Sequence, residues 1–150
     1  MGIACKLFGH KWNGCKCSKC SETRNESHTW GKTNGGIAHC SVCGDNAIDI
    51  NFFNAEEKQF LSSAFQSYSS ILTGGDGNFN HIAAKHLQLL SLQIGMSKED
   101  PSLIYFNNYS TFLMAIDMVL PKLKDSENLS ENAKCISILD KAKSIKKRLN

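Results

Sequence analysis

The chain has 150 residues, 41% of them apolar and 21% charged, with a formal net charge of +3; this is ordinary for a globular protein. So mild a charge does not by itself announce nucleic acid, and no run of 18 apolar residues exists to span a membrane. At this length the chain is one domain or two small ones.

Six of the seven cysteines fall in the first 43 residues. The N-terminus, MGIACKLFGHKW, has no apolar run before a cleavage site, so a reducing cytosol is the expected compartment. Position 6 is lysine rather than the serine or threonine of a myristoylation signal. In a reducing setting, Cys-x-x-Cys reads as metal or redox. Neither pair sits between a strand and a long helix as a thioredoxin-like motif would, which leaves metal. The pairs are Cys17/Cys20 and Cys40/Cys43, with nineteen residues between them, a zinc spacing.

An internal repeat organises this part. His10-Lys11-Trp12 precedes Cys17-Ser18-Lys19-Cys20, and His28-Thr29-Trp30 precedes Cys40-Ser41-Val42-Cys43. Tandem small units are expected rather than one irregular loop. Cys5, His10, Cys15, Cys17, Cys20, His28, Cys40 and Cys43 are enough for two tetrahedral sites. In a sequential partition Cys5, His10, Cys17 and Cys20 hold one ion. His28, Cys40, Cys43 and either Cys15 or His39 hold the other. In a ribbon partition the four paired cysteines share one ion, and Cys5, His10, Cys15 and His28 form a second site. The repeat favours the sequential scheme, hence two zinc ions, with one ion the alternative. Both schemes use Cys17, Cys20, Cys40 and Cys43; Cys15 is the least secure ligand, and His39 reads as a surface residue. Trp12 and Trp30 are expected to roof the sites, or else to stack on a partner. So few apolar groups cannot fold about 45 residues unaided, so metal supplies most of the folding free energy.

Composition changes near residue 50, giving a zinc module over 1–48 and a helical bundle over 52–150. Asn54 and Glu57 form a capping-box pattern, opening a helix whose apolar face is Phe60, Leu61, Ala64, Phe65, Tyr68, Ile71 and Leu72. Gly74-Gly75-Asp76-Gly77 ends it. A second helix runs from about Asn80 to Ile94, with Ile82, Ala83, Leu87, Leu90 and Ile94 inward and Gly95 as its stop. Asp100-Pro101 reads as a cap and first helical position, and a short turn carries Leu103, Ile104, Tyr105 and Phe106. A third, very apolar helix covers Ser110 to Lys124 and belongs at the centre, bent or ended by Pro121. The last runs from Ser130 to about Leu149 with the stripe Cys135, Ile138, Ala142, Ile145 and Leu149. The expected fold is a small zinc-ribbon-like module followed by an α-helical bundle of four to five helices. The last stripe packs on its own bundle or forms a dimer seam, so a monomer or a weak dimer is expected. The stretch Asn46 to Asn54 is too short for a free linker, so the module is expected to lie against the bundle.

The start of the chain, Cys5-Lys6-Leu7-Phe8-Gly9-His10-Lys11-Trp12 and then Cys17-Ser18-Lys19-Cys20, resembles a family of short uncharacterised zinc-binding proteins of phages and prophages. These open with Cys-x-Leu-Phe-Gly-His-x-Trp followed by Cys-x-x-Cys. The likeness covers about 20 residues, or about 45 with the second unit. It implies Cys5, His10, Cys17 and Cys20 as one ligand set. The family has glycine after the second cysteine of the pair, whereas Ser21 follows Cys20 here; Gly44 follows Cys43. The resemblance implies a setting, mobile-element biology in a bacterial cytoplasm, and no reaction.

Enzymatic signatures are missing. There is no His-x-Glu of a zinc deaminase, no His-Glu-x-x-His, no Walker A and no Gly-x-Ser-x-Gly. Asp76, Asn78 and Asn80 start like a calcium loop but lack its glycine and closing glutamate. His81 and His86 do not share a helix face. The expectation is a non-enzymatic binding protein, an adaptor or inhibitor docking on a host protein or protein–nucleic-acid complex. Nucleic acid is the alternative partner, through Lys6, Lys11, Lys16, Lys19, Arg24 and Lys32 interleaved with Trp12 and Trp30. The basic run Lys141, Lys143, Lys146, Lys147 and Arg148 would then be a second contact. No membrane partner is expected.

Overall fold

The computed structural model describes residue 5 and residues 9–24, 26–74, 78–97, 105–106, 108–124 and 128–150, with backbone only at 78 and 79. Lys6, Leu7 and Phe8, the Gly75-Asp76-Gly77 helix stop, and Asp100, Pro101, Leu103 and Ile104 lie outside the described residues.

Two small antiparallel sheets carry the cysteines. In the first, β1 (Trp12–Asn13) pairs with β2 (Lys16–Cys17), Trp12 opposite Cys17. Gly14 leads the two-residue turn between them with φ 59°, a conformation open to glycine. The second sheet has the order β3-β4-β5, formed by β3 (Ile37–His39), β4 (Asn46–Asp49) and β5 (Tyr105–Phe106). Ile37 faces Ile48 and Ala38 faces Ala47, while Ile48 also faces Phe106. Residues 105–106, expected in a turn, are thus a strand: they pair with the edge of β4 that β3 leaves uncovered, and Phe106 completes a buried aromatic group there.

A 3₁₀ turn (Ile50–Phe52) leads from β4 into four helices among the described residues: α1 (Ala55–Thr73), α2 (Asn78–Met96), α3 (Tyr109–Leu123) and α4 (Leu129–Leu149). The capping box forms as expected. Asn54 Oδ1 accepts from the Glu57 N–H at 2.9 Å, and Glu57 Oε2 accepts from the Asn54 N–H at 2.8 Å. The same carboxylate is 3% exposed and accepts from Ser137 Oγ at 2.6 Å and Lys141 Nζ at 2.5 Å, so one side chain caps α1 and ties it to α4. Serines bring α1 and α2 close: Ser91 Oγ donates to the Ser62 carbonyl at 2.8 Å and Ser69 Oγ to the Ala84 carbonyl at 2.9 Å.

The expected central helix is central. Phe112, Leu113, Ala115, Ile116, Val119 and Leu120 of α3 are all buried. Phe112 stacks on Phe106 at 5.1 Å and meets Phe53 and Phe65 edge-on. Each such side chain contributes about 1.5–3 kcal/mol by leaving water. The α4 stripe Cys135, Ile138, Ala142 and Ile145 is buried in the same core, which is the intramolecular reading of that stripe. Ile37, Ile48 and Ile50 belong to this cluster as well, so the second sheet and the helices share one core across residues 46–52.

Several local expectations are corrected. Ile82 is exposed and Ala84 is buried in its place, because the side of α2 facing α1 runs through Ala84, Leu87, Ser91 and Ile94. Ile71, at the margin of the α1 stripe, is exposed. Gly95 lies inside α2, which continues to Met96. α3 runs to Leu123, close to the expected Lys124, with Pro121 inside it rather than at its end. The carbonyl that the proline leaves without a donor belongs to Asp117, an exposed residue, where water can serve it.

Candidate metal centres

The structure gathers two tetrads, Cys5, His10, Cys17 and Cys20, and Cys15, His28, Cys40 and Cys43; the candidate ligand atoms of each lie within 4.8 Å of one another. This is the sequential partition, with Cys15 as the fourth member of the second set. The two Cys-x-x-Cys pairs fall in different clusters rather than sharing one. His39 is exposed on β3 and belongs to neither.

Both tetrads are built by the same local bonds. In the first knuckle the Cys17 N–H donates to the Glu22 carbonyl, and the Ser18 N–H and Oγ both donate to the Lys11 carbonyl. In the second, the Cys40 N–H donates to Asp45, and the Ser41 N–H and Oγ to Thr29. The turn closes with Ser21 N–H to Cys17 in one and Gly44 N–H to Cys40 in the other. Each histidine stacks on the indole two residues on, His10 on Trp12 at 5.0 Å and His28 on Trp30 at 4.7 Å. The expected roofing role of the tryptophans therefore takes the form of ring stacking on the imidazoles.

The spacings fit zinc. Bonds of about 2.3 Å to sulfur and about 2.05 Å to nitrogen give tetrahedral edges near 3.8 Å for S···S and 3.5 Å for S···N. Cys5 and Cys17 sulfurs are 3.7 Å apart and those of Cys15 and Cys40 3.5 Å. Nδ1 of His10 is 3.5 Å from Cys20 Sγ, and Nδ1 of His28 is 3.4 Å from Cys43 Sγ. Disulfide sulfurs would be about 2.05 Å apart, and all seven cysteines are free thiols. The chain carries two Cys₃His sites whose donors and spacing suit two zinc ions, each site with a net charge of −1 when three thiolates and a neutral imidazole bind a divalent cation.

The thiols are prepared unequally. Burial alone would raise Cys17 and Cys40. Backbone N–H groups outweigh it, from Lys19 and Cys20 at the first and from Cys43 and Val42 at the second. The ligand histidine of each tetrad adds to this, so Cys17 is lowered to about 6 and Cys40 to about 5. Cys5 and Cys43 are pushed up to about 12, by burial first and then by neighbouring thiols. Within each cluster backbone N–H groups favour the thiolate at one sulfur, while burial disfavours it at another. Zinc supplies that positive charge when bound and fixes the four side chains as a cross-link.

The surroundings of the tetrads differ. Glu22 Oε2 lies 3.7 Å from His10 Nε2, the carboxylate that a zinc-bound imidazole commonly has behind it. His28 Nε2 is buried with no hydrogen-bond partner among the described residues. Arg24 lies over Trp12 at 4.8 Å, whereas Tyr105 of β5 lies 5.7 Å from Trp30. Sequence reasoning missed Glu22 and Tyr105, and it undervalued Cys15. A signal for Cys15 existed: one extra cysteine precedes each His-x-Trp, Cys5 before His10 and Cys15 before His28. Lys11 and Lys19 are exposed, Lys16 is half-buried, and none of the three forms an ion pair among the described residues.

No family model matches this chain, and no curated protein or solved structure matches it either. No helix among the described residues is long and apolar enough to cross a membrane.

Proposed function

We propose that this chain is a non-enzymatic, zinc-stabilised binding protein, an adaptor or inhibitor that docks on a host protein or protein–nucleic-acid complex in a phage or prophage setting. The observation that carries this reading is the closed donor set. Four protein ligands at each centre leave no open position for a substrate or an activated water, which is the arrangement of structural zinc. The two units act as tandem zinc knuckles, ribbon-like in their paired turns, that hold a rigid surface against the helices.

Charge favours a protein partner over nucleic acid. Residues 1–48 carry six basic and three acidic side chains, and two sites of −1 reduce that surplus to about +1. On α4, Lys134, Lys141, Lys143 and Lys146 are paired with Glu56, Glu57, Asp140 and Asp117, so the C-terminal run is largely neutralised in place. One observation favours the second reading, a nucleic-acid-binding regulator: among the described residues Lys11, Lys16 and Lys19 form no ion pair. Trp12, their companion, is already engaged by His10 and Arg24.

The test is fluorescence anisotropy of zinc-loaded protein with labelled single- and double-stranded oligonucleotides across a salt series. Flat traces, together with site-specific cross-linking to one host protein that survives Lys11→Glu/Lys16→Glu/Lys19→Glu, support docking on protein. Tight binding that falls steeply with salt and vanishes in the triple variant overturns it in favour of nucleic acid.

A further inference from the structure

Cys15 and Cys17 stand two residues apart on one hairpin yet serve different tetrads. Cys17 Sγ lies 3.7 Å from Cys5 Sγ in the first, and Cys15 Sγ lies 3.5 Å from Cys40 Sγ in the second. The backbone that joins them is bonded on both sides. Lys16 faces Asn13 of β1 and bridges to Thr23, the Cys17 N–H donates to the Glu22 carbonyl, and the Arg24 N–H donates to the Cys15 carbonyl. Little apolar packing anchors this piece of chain. Before Gly36 the described residues that are fully buried are Cys5, Cys15 and Cys17, and none before Ile37 belongs to the hydrophobic core. The order of the hairpin therefore comes from its own few bonds and from the ions that its sulfurs hold.

We infer that the two zinc sites fill cooperatively, with Cys15 as the link: an ion at either site orders the hairpin that the other site must also order. An ion that has fixed the backbone from Gly14 to Cys17 spares the next ion that loss of entropy, and the gain is the same in both directions. Charge opposes this, because each loaded site carries −1. Two unit charges about 10 Å apart in water change a binding constant only roughly twofold, whereas fixing even one residue's backbone costs about as much as a tenfold change. Sharing therefore wins over repulsion. The coupling is expected at about fivefold, the low end of couplings between sites, because Cys5, His10, Cys17 and Cys20 lie close enough in sequence to close their own site. The hairpin surface is then lost over a narrower range of free zinc than two independent sites would give.

Competition with a chelator of known zinc affinity, read by native mass spectrometry of the full chain, tests this. Cys43→Ser leaves site one alone, and Cys20→Ser leaves site two alone. The product of the two stepwise association constants of the wild type should exceed the product of these single-site constants about fivefold. Two glycines inserted between Cys15 and Lys16 keep all eight ligands and loosen the link. That chain should still take two ions, with its overall affinity lowered about fivefold and more of the singly loaded species at half saturation. In a Cys43→Ser background the same insertion should change nothing at site one, since no ion at site two remains to order the hairpin. Products that agree within twofold overturn the inference, as does a wild-type product below that of the single sites. An insertion that costs site one as much in the Cys43→Ser background as in the wild type takes the link away from Cys15. Should Cys43→Ser fail to fold, the wild type against the insertion decides: an unchanged share of singly loaded chain overturns the coupling.

Discussion

The two zinc units share their knuckle bonds and their stacked His-Trp pair, yet they hold different places in the molecule. In the first, four residues separate Trp12 from Cys17, and the chain makes a short hairpin. In the second, nine residues separate Trp30 from Cys40. The longer spacer turns at Gly35-Gly36 and returns as β3, which delivers Ile37 and Ala38 to the core. Unit two is therefore part of the helical core. Unit one meets unit two at its hairpin turn, where Cys15 joins the second tetrad and Gly14 lies against Ser27. A five-residue difference in spacer length separates a zinc unit that organises the core from one that hangs on it.

Matched ligand substitutions should break that comparison most visibly. Cys20 and Cys43 are equivalent, half-buried members of their tetrads. Each of Cys20→Ser and Cys43→Ser should lower the zinc count from two to one by native mass spectrometry. Structural zinc contributes on the order of 10 kcal/mol of folding free energy. Loss at the second site should therefore reach the helices, lowering the thermal midpoint at 222 nm by an amount equivalent to several kcal/mol. Loss at the first should leave that transition within about 1 kcal/mol. Cys15→Ser sharpens the point, since it sits in unit one but should cost the ion of site two. Equal effects of Cys20→Ser and Cys43→Ser on the helices would mean that the units are energetically alike.

The spacer itself is next. Gly36 has φ 83°, and a methyl there would lie 2.8 Å from the Phe52 ring. Gly36→Ala combines a left-handed backbone with a clash that the ring can escape only by leaving its place. A loss of about 3 kcal/mol in urea denaturation is expected, with both zinc ions retained. A neutral result would detach the spacer from the stability of the core.

Glu57 allows the helices to be weakened without touching a metal ligand. Burial alone would raise its pKa. Lys141, Ser137 and the Asn54 N–H outweigh burial and hold the carboxyl below the ordinary 4.5. A carboxyl depressed on folding contributes stability that is fully present above its unfolded value and is lost as pH falls through the folded one. Glu57→Gln should cost about 2 kcal/mol at neutral pH. The gap between wild type and variant should close below pH 4.5. Acid also protonates thiolates, but it does so in both proteins, so their difference reports the carboxylate. A gap that does not begin to narrow as pH falls below 4.5 would assign the loss to packing.

What could be read from sequence follows the same divide between strong local rules and long-range placement. The knuckles, the Asn54–Glu57 capping box and the α3 core were legible because each is fixed by residues a few positions apart. Ile82 misled because α2 has apolar residues on both sides, and periodicity alone cannot say which side meets α1. Tyr105-Phe106 as a strand depends on the free edge of β4, nearly sixty residues earlier, for which a two-residue segment carries no signal. Cys15 was undervalued for a related reason: its tetrad is completed across units, from a turn that belongs locally to the other site.

The smallest expected effect swaps one detail between the units. After the second cysteine of each knuckle the backbone turns left-handed, φ 59° at Ser21 and 84° at Gly44. Glycine takes this conformation freely, whereas a side-chain-bearing residue gives up about 1–2 kcal/mol. Unit one, the outlying unit, bears that strain in the knuckle of its own tetrad. Ser21→Gly should relieve about 1 kcal/mol, less the extra freedom glycine gains in the unfolded chain. The gain should appear as slower zinc release from site one to a competing chelator, with site two unchanged. Gly44→Ser should do the reverse at site two and, because that unit is built into the core, should also lower the helical transition. If Gly44→Ser speeds metal release yet leaves the helices untouched, the coupling between the second centre and the core is weaker than their shared packing implies.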